Sequence, residues 1–249
     1  MFLSHHFPRV NAGEIGHLVL LDLLLALRCS SGRKALYEPQ CRRETVRVTA
    51  TYWDERYAVS DMLCSGHPNV WVKELAGELP AGRMLDQAGG EGRNALWLAQ
   101  QGWEATIVDF SQCALDRAMH CAGELSVGKR VHVHRADVRK YQPQSRDYDL
   151  VLIAYLHLPP AERQAAIARS ADAVATGGRL LVIGHDRRNL EEGIGGPQDD
   201  DLLFTPKEVA EQLADLGFLI DQAQTRARLV DTDHGPRIAF DAVVLATQI

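Results

Sequence analysis

Long apolar runs are the first thing this 249-residue sequence lacks. Its one membrane-like stretch, Leu18 to Leu27, is broken by Asp22 and falls far short of the ~20 apolar residues that span a bilayer. A secretory leader finds no better support, since Arg9 is the only fixed charge at the leading end and no Ala-x-Ala follows. The run Leu25-Ala26-Leu27-Arg28-Cys29 fails as a lipoprotein site because Arg28 stands where a small residue belongs. Cysteines are few and unpaired in pattern. The five of them (Cys29, Cys41, Cys64, Cys113, Cys121) are an odd number without a CxxC. That spacing predicts free thiols rather than a disulfide framework or zinc site, no bound metal, and a cytoplasmic setting. An excess of positive charge is missing too. With 27 Lys and Arg against 33 Asp and Glu, the net charge is -6, a poor basis for gripping a phosphate backbone. No nucleic acid and no membrane are therefore expected as partners. There is no internal repeat, and a monomer or homodimer acting on a small molecule is the expectation that remains.

Two regions differ in character. Residues 1–47 hold one apolar run and then a basic stretch (Arg28, Arg33, Lys34, Arg42, Arg43, Arg47) without periodicity. They read as a poorly ordered extension, with Val46 or Val48 as alternative starts; the intact mass of the native protein tests this. Residues 48–249 read as one domain. Short β-like runs alternate with helical segments, the pattern of βαβ units around a parallel sheet. Strands are expected at 83–86, 105–109, 131–134, 149–154 and 179–183. Helices are expected over 93–101, from Ser111 to about Glu124, over 160–174, and from the capping box Thr205-Pro206-Lys207-Glu208 to Gly217. Two closing strands, near 218–220 and 241–247, have no helix between them and predict an antiparallel hairpin. The expected fold is thus an α/β, Rossmann-like three-layer sandwich around a mostly parallel seven-stranded sheet.

The chemistry is concentrated in Leu85-Asp86-Gln87-Ala88-Gly89-Gly90-Glu91-Gly92-Arg93-Asn94, followed by Asp109. A strand entering a glycine-rich turn and then a helix brings bare backbone close to a ligand. An acidic residue ending the next strand can accept both hydroxyls of a ribose. Together they predict a nucleoside cofactor. The dinucleotide fingerprint would place Arg93 where close packing asks for Gly or Ala, and leaves Asp86 without a task. A carboxylate just before the turn suits a cofactor with a free ammonium group.

These residues carry a resemblance. Trp53-Asp54-Glu55-Arg56-Tyr57, Gly90-Glu91-Gly92-Arg93-Asn94-Ala95, Val108-Asp109-Phe110-Ser111 and Phe204-Thr205-Pro206 are similar to class I S-adenosylmethionine-dependent methyltransferases, within the group containing tellurite-resistance and thiopurine-type enzymes. The resemblance covers residues 52–249 and implies S-adenosylmethionine as cofactor, S-adenosylhomocysteine as product and a small-molecule acceptor. It implies that Asp86 and the backbone of Ala88, Gly89 and Gly90 hold the methionine portion, with Gly92 and Asn94 completing the turn. Asp109 would hold the ribose and Phe110 lie beside the adenine. Asp137 and Val138 would border the adenine amino group, and Ala154 line the cofactor. Trp53 and Tyr57 either close over it or are plain helix-packing aromatics. Ala88 departs from the family's first loop glycine. If that position needs a positive φ, alanine costs about 1 kcal/mol there.

Methyl transfer needs mainly an in-line approach, and a base only where the acceptor arrives protonated. The carboxyl ends of the strands offer His157, His185 and Asp186 as catalytic candidates. His132 and His134 alternate with valines and read as non-catalytic. The glycine-rich segment 187–198 predicts a loop over the acceptor site or a solvent-exposed connector. Two other readings stand beside methyl transfer: an NAD-dependent oxidoreductase, and a catalytically silent S-adenosylmethionine-binding protein.

Overall fold

Apolar residues that alternate along consecutive strands must face two opposite layers, and in this chain both layers are filled. The computed structural model describes residues 50–59, 64, 67–144, 146–233 and 235–249; the expected extension over 1–47 lies outside them. The strands are β1 (Arg83–Gln87), β2 (Glu104–Asp109), β3 (Val131–Arg135), β4 (Tyr148–Ala154), β5 (Val174–His185), β6 (Phe218–Val230) and β7 (Arg237–Gln248). The helices are α1 (Ala50–Val59), α2 (Val70–Ala76), α3 (Arg93–Gln100), α4 (Gln112–Glu124), α5 (Pro160–Asp172) and α6 (Pro206–Asp215). Strands run β3-β2-β1-β4-β5-β7-β6 in one sheet. On one face Met84, Ile107, Leu150 and Leu152 pack against Trp71 of α2, Leu98 of α3 and Leu115 of α4. On the other, Leu85, Val108, Val151 and Ile153 pack against Ile167 of α5 and Leu213 of α6. The three-layer α/β sandwich is as the sequence predicts.

Parallel pairing joins β1 to β2 and β4, β2 to β3, and β4 to β5. Only β7 runs against its neighbours, inserted between β5 and β6. The hairpin is longer than the sequence suggests. β6 continues to Val230, paired with β7 throughout; Gln222, Gln224, Arg226 and Arg228 give its second half a polar appearance that hides the strand from sequence reading. The α5 helix stops at Asp172, two residues earlier than expected, and β5 begins before Gly177-Gly178. Among the described residues no helix is long and apolar enough to cross a membrane, and no cluster of potential metal ligands occurs.

One expectation is overturned. Cys64 and Cys121 form a disulfide, with Cα atoms 5.1 Å apart and a sequence separation of 57; Cys113 is free. Spacing could not reveal this pair, because α4 and Cys64 meet only in the folded chain.

Candidate active site

The register of β1 on β2 sets Gln87 beside Val108, so both strands end at one level of the sheet edge. Asp86 and Asp109 therefore flank the turn between β1 and α3. Asp86 is 1% exposed, and its Oδ2 has no hydrogen-bond partner. Burial pushes its carboxyl up to about 7; the Arg93 charge opposes the shift, and the Asp109 charge adds to it. Asp109 accepts from the backbone N–H of Gly90 at 3.0 Å and of Ser111 at 2.9 Å. Burial raises its pKa against those two bonds.

The turn is tight. Ala88 has φ 56°, so the strained position anticipated for alanine is occupied as such. Gly90 carries no Cβ because one would lie 2.5 Å from the Tyr57 hydroxyl. Gly92, which caps α3, has φ 75°, and a Cβ there would meet Ile107 Cδ1 at 2.5 Å. A Gly92→Ala variant should lose at least ~1–2 kcal/mol from the left-handed backbone alone, read as a lower urea midpoint at unchanged m-value.

Helix α1 lies across this turn. Asp54 accepts from Ser111 Oγ at 2.5 Å and from the Cys113 N–H at 3.3 Å, tying α1 to the start of α4. The Trp53 and Tyr57 rings pack at a tilt of 31° with centroids 5.6 Å apart. The helix thus brings the Tyr57 hydroxyl to the turn, beside Gly90. Phe110 is half-exposed just before α4, and Ala154 half-buried at the end of β4. Val138 is buried, whereas Asp137 is engaged by its own Arg139, whose Nη2 donates to Oδ2 at 2.7 Å. That side-chain bond holds the Asp137 carboxyl below its usual range.

Beside the turn opens a cleft of about 380 Å³ lined by Asn69, Val70, Arg93, Tyr155, His185 and Arg228. Asn94 links the turn to it by accepting from the Asn69 N–H at 2.8 Å. Asn69 in turn donates to the Tyr155 hydroxyl at 2.9 Å. Tyr155 sits at φ 58°, an unusual backbone for an aromatic residue and one concentrated at functional sites. Its hydroxyl donates to Asp241 Oδ2 at 3.0 Å, as do Trp71 Nε1 at 2.9 Å and Arg228 Nε at 2.6 Å. Burial, with the Asp241 charge next, pushes the Tyr155 phenol up to about 12, so it keeps its proton.

The three catalytic candidates separate here. His185 lines the cleft at the end of β5. His157 stacks on it at 5.3 Å, and its Nε2 accepts from the His185 backbone N–H at 3.3 Å. Burial pushes His157 down to about 3, helped by the charges of His185 and Arg163, which leaves it neutral with one nitrogen occupied. Asp186 is 3% exposed. Its Oδ1 caps Arg188 N at 2.8 Å and its Oδ2 accepts from Thr225 at 2.7 Å, so both oxygens hold backbone and strand in place. Segment 187–198 does lie against His185, since a Cβ on Gly196 would be 2.6 Å from the imidazole. Tyr155, Arg228 and Asp241 escape sequence reading. Asp241 lies within a strand, where a carboxylate carries no motif, and Arg228 lies in the hidden half of β6.

Residues 84–178 match the family described as a methyltransferase domain. The chain is 27% identical over 131 residues to the ubiquinone/menaquinone biosynthesis C-methyltransferase UbiE of Ectopseudomonas mendocina, covering 50% of this chain and 51% of UbiE. The chain therefore spans about half the length of that relative. Among solved structures, TehB from Haemophilus influenzae aligns with TM-score 0.60 at 16% identity, covering 80% of this chain and 67% of TehB. A structure concerned with converting a disulfide bond into a thioacetal group during echinomycin biosynthesis aligns with TM-score 0.62 at 18% identity, covering 80% of this chain and 92% of the other. Likeness at that level is likeness of fold.

Proposed function

We propose that this protein transfers a methyl group from S-adenosylmethionine to a small-molecule nucleophile held in the cleft beside His185. The observation that carries this reading is the buried, unpartnered Oδ2 of Asp86 beneath the glycine turn. A buried carboxylate oxygen without a donor costs several kcal/mol, and a ligand ammonium group would relieve it. The cradle fits as well, for a Cβ on Gly89 would lie 2.9 Å from the Asp86 carboxyl carbon and fill the space above it. Asp86 would hold the ammonium group, and the Ala88–Gly90 backbone the rest of the methionine portion. Asp109 would hold the ribose, Phe110, Asp137 and Val138 would border the adenine, and Tyr57 would close over the turn. When bound, S-adenosylmethionine supplies a sulfonium methyl already activated for displacement. The chain's own residues orient the acceptor and exclude water around it. UbiE and the methyltransferase-domain match agree with this chemistry.

Calorimetric titration tests it. S-adenosylhomocysteine should bind and NAD should not, while Asp109→Ala should weaken S-adenosylhomocysteine at least about tenfold, the order lost with a charge-assisted hydrogen bond. Binding of NAD in preference would contradict the reading. Turnover on thiols, phenols and amines separates an enzyme from a silent cofactor-binding protein.

A further inference from the structure

Asp241 is fully buried on β7, and three of the groups around it converge on one oxygen. Trp71 Nε1, the Tyr155 hydroxyl and Arg228 Nε all donate to Oδ2. Oδ1 is buried without a hydrogen bond, and the atom facing it is His185 Nδ1 at 3.6 Å. Such a carboxylate oxygen orients an imidazole by accepting its Nδ1–H, which leaves the Nε2 lone pair free.

We infer that Asp241 is the positioning residue for a His185 general base, and that the methyl acceptor is therefore a protic molecule that enters the cleft with its nucleophilic atom still bearing hydrogen. The inference rests on the methyl-transfer reading above. In the step it describes, the acceptor's proton passes to His185 Nε2 and the acceptor's lone pair forms the new bond to carbon. The electrons of the broken sulfur–carbon bond stay with sulfur, which leaves as a neutral thioether. The imidazolium so formed lies beside the Asp241 carboxylate.

The other groups around His185 cannot take this part. Tyr155 holds its proton toward Asp241. His157 has its Nε2 turned to backbone, with Arg163 behind it. Arg228 is cationic and paired with Asp241. Desolvation lowers the His185 pKa, opposed by Asp241 and reinforced by Arg228, so the ring is neutral and able to accept a proton. One neighbour competes for Nδ1. The Asn189 amide lies 3.4 Å from it and favours the opposite tautomer. That amide already donates to Phe240 O at 2.7 Å, whereas Asp241 Oδ1 has nothing else. A buried anion left unpaired costs more than a second amide hydrogen left unpaired.

The test is the ¹⁵N spectrum of the histidine rings in the full chain saturated with S-adenosylhomocysteine, with His185→Gln identifying the signal. Wild type should carry its proton on Nδ1 at pH 8, and Asp241→Asn should reverse the tautomer toward Nε2–H as Asn189 takes over. A wild-type ring protonated on Nε2 overturns the inference, even if Asp241→Asn fails to fold. So does an unchanged tautomer in a folded Asp241→Asn. Failure of wild type to bind S-adenosylhomocysteine, seen beforehand by calorimetry, would instead sink the methyl-transfer reading. With an acceptor from the phenol and thiol panel, His185→Ala should lower kcat about 10²- to 10⁴-fold, and added imidazole should restore part of it. Equal kcat in the two proteins counts against the base.

Discussion

Asp86→Asn should all but abolish S-adenosylhomocysteine binding and yet unfold at a higher temperature than wild type above pH 7. Both effects come from one carboxyl held at about 7 by burial. In the unfolded chain the same group titrates near 3.8. Below pH 4 both states carry the proton, and folding feels no penalty. Between about 4 and 7 the folded state keeps a proton that the unfolded state has released, so stability falls as pH rises through this window and levels off above it. At ~1.4 kcal/mol per pH unit the loss reaches at most ~4 kcal/mol. Asparagine removes the charge but leaves an amide in the same unpartnered space, so a net gain of roughly 1–3 kcal/mol at pH 8 is expected. Ligand binding should show the reverse dependence. An ammonium group favours the ionised carboxylate, so affinity should drop about tenfold per pH unit below 7, with proton release detectable by calorimetry in buffers of different ionisation enthalpy. A pH-independent affinity, or a variant no more stable than wild type at pH 8, would argue against this role for Asp86.

Reduction of the Cys64–Cys121 bridge should destabilise the protein by about 2–4 kcal/mol. The bridge closes a loop of 57 residues, for which chain entropy alone predicts ~4 kcal/mol, the upper end of what native disulfides contribute. It fastens Cys64 to the buried face of α4, where Cys121 is 3% exposed. Urea unfolding with and without reductant measures the effect. A Cys64→Ser/Cys121→Ala variant should match the reduced protein and ignore reductant. An identical midpoint for wild type under both conditions would show that the bridge does not form.

The parts of this molecule visible in its sequence are those where a local pattern has a local cause. The βαβ alternation, the Thr205 capping box and the turn after β1 each state their geometry within a dozen residues. The observed cap, with Thr205 accepting from Glu208 N and Glu208 accepting from Thr205 N at 2.6 Å, is the reciprocal pair that its spacing implies. The turn we assign to the cofactor is legible for the same reason. The residues we assign to the acceptor side are not. Asp241, Tyr155, Arg228 and Trp71 come from β7, the end of β4, β6 and α2, and meet only because the sheet brings them together. Arg226 illustrates the difficulty, since it pairs with Glu74 from across the sequence and looks like any surface arginine. His185 could be named from its place at the carboxyl end of β5. What it leans on could not.

The insertion of β7 between β5 and β6 imposes an order on biosynthesis. As the chain leaves the ribosome, β1 to β5 and the glycine turn are synthesised well before residues 237–248, and non-local pairing of this kind is slow in folding. Asp241 arrives with that last strand. On the roles proposed above, the nascent chain shapes its cofactor turn before Asp241 reaches His185, so cofactor capture would precede chemical competence during synthesis.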